Sequence, residues 1–196
     1  MRVRNVIELS RGEEAQRFRV RKAIDTIVVH RIGATIGTNG TDISKRFRED
    51  PNVGKYTGMQ VPYHFVVDRW GKVDQCLTLT ETGYHARTKW NRRSIAVACV
   101  GDFRTDQIPV DQWWGCIDIC ALMAEWVGAN RYEIRGHTEL PGSSKPGKDC
   151  PGKYFPLDEL RTEIGRGVEP MLREEAIDKD MATAGITISA ASPMNA

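Results

Sequence analysis

A histidine and a cysteine that lie one loop apart are the residues of this chain best suited to chemistry. His137 falls in the glycine- and proline-containing segment 135–142, and Cys150 follows in the segment 148–152. Glycine and proline fix sharp turns, so such a loop can direct an imidazole and a thiolate at one point. His30, at the end of an apolar segment, offers a third donor. Two imidazoles and one thiolate predict a three-ligand zinc site with an open fourth position, as in catalytic rather than structural zinc sites.

The donor set favours zinc over iron or copper. A mixed imidazole and thiolate set suits a borderline-soft, closed-shell ion. With one thiolate the site keeps a net charge of about +1, which acidifies a bound water and polarises a carbonyl oxygen. The ordinary alternative for each histidine taken alone is a packed or surface residue. A structural zinc domain is disfavoured because it needs four protein ligands rather than three.

Bulk composition excludes several classes of protein. The 196 residues suit one medium-sized domain, and a formal net charge of +2 is too small to indicate a nucleic-acid partner. No window has the length and apolarity of a membrane helix, and the N-terminus lacks the apolar region of a secretory signal. The five cysteines show no disulfide spacing. We therefore expect synthesis in the cytoplasm without a signal peptide, no stable membrane anchor and a monomer.

Apolar periodicity predicts an α/β fold with a central sheet. Continuous β-branched runs predict buried strands, and capping and stop signals delimit helices. The predicted strands cover residues 24–30, 62–68, 72–77, 94–100 and 132–135, and the predicted helices cover about 41–49, 109–127 and 157–164. Residues 1–22 form a basic arm, either a packed helix or a mobile lead-in. Residues 23–165 form the catalytic domain, and 166–196 a partly disordered extension.

Several short motifs, taken in their order along the chain, resemble the zinc-dependent N-acetylmuramoyl-L-alanine amidases. This type-2 amidase group includes T7-lysozyme-like endolysins and peptidoglycan recognition proteins. The motifs are IVVH at 27–30, VPYHF at 61–65, YHA at 84–86, NRRSIAV at 91–97, GH at 136–137 and KDCP at 148–151. Each motif alone is weak, but their joint order is specific and covers roughly residues 24–165.

The resemblance implies a mixed β-sheet flanked by helices in a single domain, with zinc in a surface groove. It implies hydrolysis of the amide that joins N-acetylmuramic acid to the L-alanine of the peptidoglycan stem peptide. Carried over by position, the zinc ligands are His30, His137 and Cys150, and the catalytic residues are Tyr63 and Lys148.

These residue types suit the implied reaction. The zinc charge and the Lys148 ammonium stabilise the oxyanion of the tetrahedral intermediate. The Tyr63 hydroxyl hydrogen-bonds the nucleophile or the intermediate and assists proton transfer to the departing amine. Some members of the group carry a glutamate at the position of Ala98, so a carboxylate base is missing from that strand.

Three further residues are candidates for binding the substrate in the groove. His85 is placed to hydrogen-bond the substrate, with packing as an equal alternative. Asn91 and Arg92 precede a predicted strand, and a guanidinium suits the carboxylates of stem peptides, although a solvated cluster explains them equally well.

Three interpretations of the biological setting are compatible with the sequence. We expect peptidoglycan or muropeptide as the partner, and action on the cell wall after release through a membrane lesion, as in endolysins. A cytoplasmic muropeptide-recycling amidase shares the same sequence features. A non-catalytic peptidoglycan-binding module is the alternative from another class, and the presence of Cys150 disfavours it.

Overall fold

The computed structural model of the chain describes residues 3–7, 19–33, 38–49, 61–86, 88–128, 133–142 and 149–165. These ranges contain a mixed six-stranded sheet with helices, which confirms the predicted α/β single-domain fold. The strands are β1 (Val3–Asn5), β2 (Thr26–Ile32), β3 (Phe65–Val67), β4 (Val73–Gln75), β5 (Ser94–Val100) and β6 (Glu133–Gly136). The helices are α1 (Gly40–Glu49), α2 (Thr88–Asn91), α3 (Val110–Val127) and α4 (Leu157–Gly165), and His137–Glu139 forms a 3₁₀ turn.

The sheet has the strand order β1-β4-β3-β5-β2-β6. All described pairs are parallel except β3 with β4, which form the predicted hairpin. Every residue of β5 is buried, as is every residue of β2 except Arg31. Strands covered on both faces explain the continuous apolar runs in the sequence.

The two faces of β2 separate the core from the candidate site. Ile27 and Val29 pack into the main hydrophobic core, which contains residues of α3 and α4. His30 points to the opposite face because side chains alternate along a strand. On that face Ile32 packs with Ile43 of α1. The sheet thus presents His30 on the side that lacks the long helix α3.

The N-terminal arm contributes a strand that the sequence did not predict. β1 pairs with β4, and Arg4 forms a bidentate ion pair with Asp74, with Nε to Oδ1 at 2.6 Å. The helix considered over about 11–21 falls mostly outside the described residues. Residues 166–196, predicted as an extension, lie wholly outside them. In the part of the chain that is described, no helix combines the length and apolarity needed to cross a membrane.

Candidate metal centre

Three predicted ligands meet at one point on the side of β2 that faces away from the main core. His30 lies near the end of β2 and is 1% exposed. His137 begins the 3₁₀ turn after β6, and Cys150 lies in the loop before α4; both are partly buried. One donor atom from each of the three lies within 4.8 Å of the others. Residues 120 apart in sequence are therefore brought to one place.

The spacing of the donors fits a tetrahedral zinc ion. The Cys150 Sγ is 3.7 Å from the His30 Nδ1. Ligand bonds of about 2.3 Å to sulfur and about 2.1 Å to nitrogen, at a tetrahedral angle, place two such donors about 3.6 Å apart. The chemistry of the set, two imidazoles and one thiol, also suits zinc. These residues fit the ion that the resemblance implies.

Strand pairing places the two histidines side by side. β2 and β6 are parallel, with Val29 opposite Gly136, so the residue that follows each of this pair is a predicted ligand. The Thr138 amide and hydroxyl both donate to the carbonyl oxygen of Cys150, each at 3.0 Å. The turn that carries His137 is thereby tied to the loop that carries Cys150.

Arg31 ties the cysteine loop to the sheet from the other side. Its Nε donates to the carbonyl oxygen of Asp149 at 2.9 Å, and its Nη1 lies 3.3 Å from the Asp102 carboxylate. Asp102 follows β5, so one guanidinium joins β2, the end of β5 and the residue before Cys150. Cys150 is thus held through its own carbonyl group and through that of the residue before it.

Gly152 lets the cysteine loop pass close to another backbone segment. It has a φ of +121°, and a Cβ placed there would clash with the carbonyl group of Phe103. The Tyr154 amide then donates to the Phe103 carbonyl at 2.9 Å. Only glycine meets both requirements, because other L-residues are strained at such a φ.

We expect Gly152→Ala to loosen the metal site. The substitution combines backbone strain of about 1–3 kcal/mol with a clash against Phe103, so the loop must shift and Cys150 with it. The expected result is a lower free energy of unfolding and a weaker affinity for zinc. Urea denaturation and zinc titration of the purified chain measure the two effects.

Two other glycines supply matched controls for this change. Gly128 has a φ of +112°, but no atom of the described residues lies within 4 Å of the place that a Cβ would take, so Gly128→Ala is expected to add strain without a clash. Gly165 has no positive φ and no close neighbour among the residues that the structure describes, so Gly165→Ala should be neutral. If Gly152→Ala and Gly128→Ala had the same zinc affinity, the close approach of Gly152 to Phe103 would not be what positions Cys150.

Tyr63 stands beside the predicted ligands. Its ring centroid lies 5.3 Å from that of His30, and its side chain is partly buried against the apolar cluster that contains Ile32 and Ile43. Burial raises the pKa of the Tyr63 hydroxyl, and the neighbouring Cys150 thiolate raises it further, while Arg31 opposes them. The hydroxyl therefore stays protonated and can donate a hydrogen bond.

The other predicted site residues lie in different settings. His85 is 7% exposed, and both ring nitrogens lie near protein atoms, with Nδ1 2.9 Å from the His30 Nε2. Asn91 is buried and accepts a 2.7 Å hydrogen bond from the Ala86 amide at its Oδ1, whereas Arg92 is exposed. Lys148 lies outside the described residues. The roles of all four remain predictions.

The strand position next to His30 carries no carboxylate. Ala98 on β5 is the register partner of His30 and is fully buried. His64, which follows Tyr63 in the chain, is also fully buried, and its Nδ1 accepts from the Ala96 amide at 3.0 Å. The contact between His30 and His85 was missed from sequence, because no local pattern links residues 55 apart.

Comparison with solved structures identifies the fold. N-acetylmuramoyl-L-alanine amidase LysC from Clostridium intestinale has 19% identity and a TM-score of 0.64, covering 84% of this chain and 97% of that chain. The Ph2119 endolysin of a Thermus scotoductus bacteriophage has 20% identity and a TM-score of 0.65, covering 84% and 99%. Peptidoglycan recognition protein-LE, solved with tracheal cytotoxin, has 14% identity and a TM-score of 0.62, covering 82% and 92%. At these identities the likeness establishes the fold alone.

The family is established at the level of sequence. No curated protein matches the chain significantly. The profile of the family described as N-acetylmuramoyl-L-alanine amidase matches residues 20–153, which is well over half of the chain. That range includes β2, β5, β6 and all three predicted ligands. The chain belongs to the N-acetylmuramoyl-L-alanine amidase family.

Proposed function

We propose that this protein is a zinc-dependent amidase that hydrolyses the bond between N-acetylmuramic acid and L-alanine in peptidoglycan. The convergence of His30, His137 and Cys150, with a sulfur-to-nitrogen distance that fits zinc, carries the proposal. Membership of the amidase family supports the choice of reaction. Three protein ligands leave a fourth position for the reaction, as in other catalytic zinc sites.

Each residue at the site has a separate role. A zinc ion held by the three ligands would supply positive charge that acidifies water and polarises the amide carbonyl. Water adds to the carbonyl carbon, the carbon–nitrogen bond breaks, and the L-alanine nitrogen leaves with a proton. The Tyr63 hydroxyl donates to the developing oxyanion or the nucleophile. Lys148 adds a second positive charge for the oxyanion.

The proposed substrate is peptidoglycan or a muropeptide derived from it. Asn91 and Arg92 are the proposed contacts with the stem peptide, where a guanidinium pairs with a carboxylate. Peptidoglycan recognition protein-LE, which shares this fold, was solved with tracheal cytotoxin, a monomeric peptidoglycan fragment. We propose a monomer that acts on the cell wall as endolysins do, after passing the membrane through a lesion.

Tyr63→Phe is expected to lower kcat by about 100-fold or more, since positioned proton donors contribute about 10²–10⁴-fold. The ring remains to pack beside His30, so zinc affinity and stability should stay near those of the unmodified chain. Release of soluble peptide from purified sacculi measures the rate.

Tyr154→Phe is the matched control. It removes the same hydroxyl group, but from a side chain that is 45% exposed and is not a predicted site residue. It should hydrolyse sacculi at the unmodified rate. Equal rates for Tyr63→Phe and the unmodified chain would remove Tyr63 from the mechanism.

A binding module that does not cut is the second candidate, because solved structures of peptidoglycan recognition proteins share the fold. Mass spectrometry of products from intact sacculi and from soluble muropeptides separates the candidates. An amidase releases stem peptides with a free L-alanine amine and leaves glycan with a free lactyl carboxylate. A binding module co-sediments with sacculi and yields no such products. Cleavage confined to soluble muropeptides would indicate a recycling enzyme.

A further inference from the structure

A line of buried polar groups runs from His30 away from the metal centre. The His30 Nε2 lies 2.9 Å from the His85 Nδ1, and the His85 Nε2 lies 3.2 Å from the Ser94 Oγ. The Ser94 hydroxyl donates to the carbonyl oxygen of Trp90 at 2.6 Å. His30, His85 and Ser94 are 1%, 7% and 0% exposed.

The far end of this line fixes the direction of every hydrogen bond in it. A backbone carbonyl only accepts, so the single Ser94 hydroxyl hydrogen points to Trp90. Ser94 Oγ must then accept from the His85 Nε2–H. A neutral imidazole has one N–H, so the His85 Nδ1 accepts from the His30 Nε2–H. The His30 Nδ1 consequently carries a lone pair, and this is the atom 3.7 Å from the Cys150 sulfur.

Packing holds the His85 ring in this line. A Cβ on Gly83 would lie 3.3 Å from the His85 Cδ2 and 3.0 Å from the His64 Cε1, and it would clash with the Pro62 carbonyl oxygen. The His85 ring therefore packs so close to Gly83 that a larger residue has no room there. Both ring nitrogens are occupied by protein partners, which leaves neither directed at a substrate.

We propose that His85 and Ser94 are positioning residues of the metal site, which hold His30 in the tautomer that presents its Nδ1 lone pair to zinc. This inference rests on the proposed zinc-dependent function, and it gives His85 a role toward the ligand instead of toward the substrate. Ligating histidines commonly donate their other N–H to a fixed acceptor, and loss of that acceptor weakens metal affinity by about 10–100-fold. Here the acceptor is the His85 imidazole. Its Nδ1 can accept only while its single hydrogen stays on Nε2, and the hydrogen bond to Ser94 keeps it there.

The first test reads the tautomers directly. Histidine ring ¹⁵N chemical shifts of the full chain without metal should show His30 protonated at Nε2 and His85 also protonated at Nε2. In Ser94→Ala the constraint on His85 is gone, and His30 should show a fraction protonated at Nδ1. His30 protonated at Nδ1 in the unmodified chain would overturn the inference.

The second test measures zinc affinity by competition with a chromophoric chelator. His85→Phe keeps the ring volume without an acceptor and should weaken affinity by about 10–100-fold, with Ser94→Ala closer to about 10-fold. His85→Asn offers an amide oxygen near the Nδ1 position and should restore part of the loss. Thr26→Val is the control, because Thr26 is the buried register partner of Ser94 and its hydroxyl donates to Asp25 instead.

The outcomes separate this inference from the proposed function. An unmodified chain that binds no zinc contradicts the proposed function, and the tautomer spectra still decide the state of His30. Zinc binding that is equal in the unmodified chain, Ser94→Ala and His85→Phe overturns the inference alone. If Thr26→Val and Ser94→Ala weaken zinc affinity equally and the His30 tautomer does not change, Ser94 serves only in packing, which also overturns the inference.

Discussion

Cys150→Ser is expected to abolish peptidoglycan hydrolysis, with a loss of at least about 1,000-fold in rate. A serine hydroxyl stays neutral at the working pH and is a poor ligand for zinc, whereas a thiolate is a strong one. Losing several kcal/mol of charge stabilisation in the transition state corresponds to a loss of about this size. Sacculus lysis and peptide release at equal protein concentrations measure the effect.

The fold should survive this substitution. The contacts that hold the loop use the backbone carbonyls of Asp149 and Cys150, which accept from Arg31 and Thr138. None of these contacts involves the sulfur, so circular dichroism and the urea midpoint of the metal-free protein should be nearly unchanged.

Cys120→Ala is a suitable control for the loss of a thiol. Cys120 is fully buried on α3 in the main core, which lies on the opposite face of the sheet from His30. This variant should lose some stability but keep its activity per folded molecule. Lysis by Cys150→Ser at the unmodified rate would refute the proposed mechanism, since the thiolate would then be dispensable.

The elements with strong local signals were predictable from sequence. The apolar run at 94–100 is β5 with the same bounds, because burial on both faces leaves no polar position to interrupt it. α3 begins directly after Pro109 and ends before Gly128, as the proline and glycine signals indicate.

Elements that depend on tertiary contacts were predicted less well. β1 has three residues and no pattern of its own; pairing with β4 and the ion pair between Arg4 and Asp74 define it. The strand expected at 62–68 is reduced to Phe65–Val67. At His64 the ring, rather than a backbone carbonyl, accepts from the Ala96 amide, so regular pairing begins one residue later.

The candidate site, like the fold, has a part that was predictable from sequence and a part that was not. Residue type and order pointed to His30, His137 and Cys150, because few side chains bind zinc and the family motifs fix their positions. The residues that contact these predicted ligands were not predictable. Alternation along a strand gives the face of a side chain but not its neighbour, so the contact between His85 and His30 required coordinates.

Removal of zinc is expected to eliminate activity and lower thermal stability together. The predicted donors come from β2, the turn after β6 and the loop before α4, so a bound ion would join segments up to 120 residues apart. A ligand that binds only the native state stabilises it by about 4 kcal/mol when its free concentration is about 1,000 times Kd. Dialysis against a chelator, followed by activity and Tm measurements with and without added zinc, tests both effects.

The identity of the restoring ion makes this experiment specific to the proposed donors. Magnesium and calcium prefer oxygen ligands, so neither should restore activity to a site with one sulfur and two nitrogens. Cys150→Ser protein should show little zinc-dependent shift in Tm, because the ion has lost its one anionic ligand. Full hydrolysis by protein shown by elemental analysis to be metal-free would leave these three side chains without a catalytic role. A zinc-dependent Tm without hydrolysis would instead favour the binding module, since the ion would then only stabilise the folded chain.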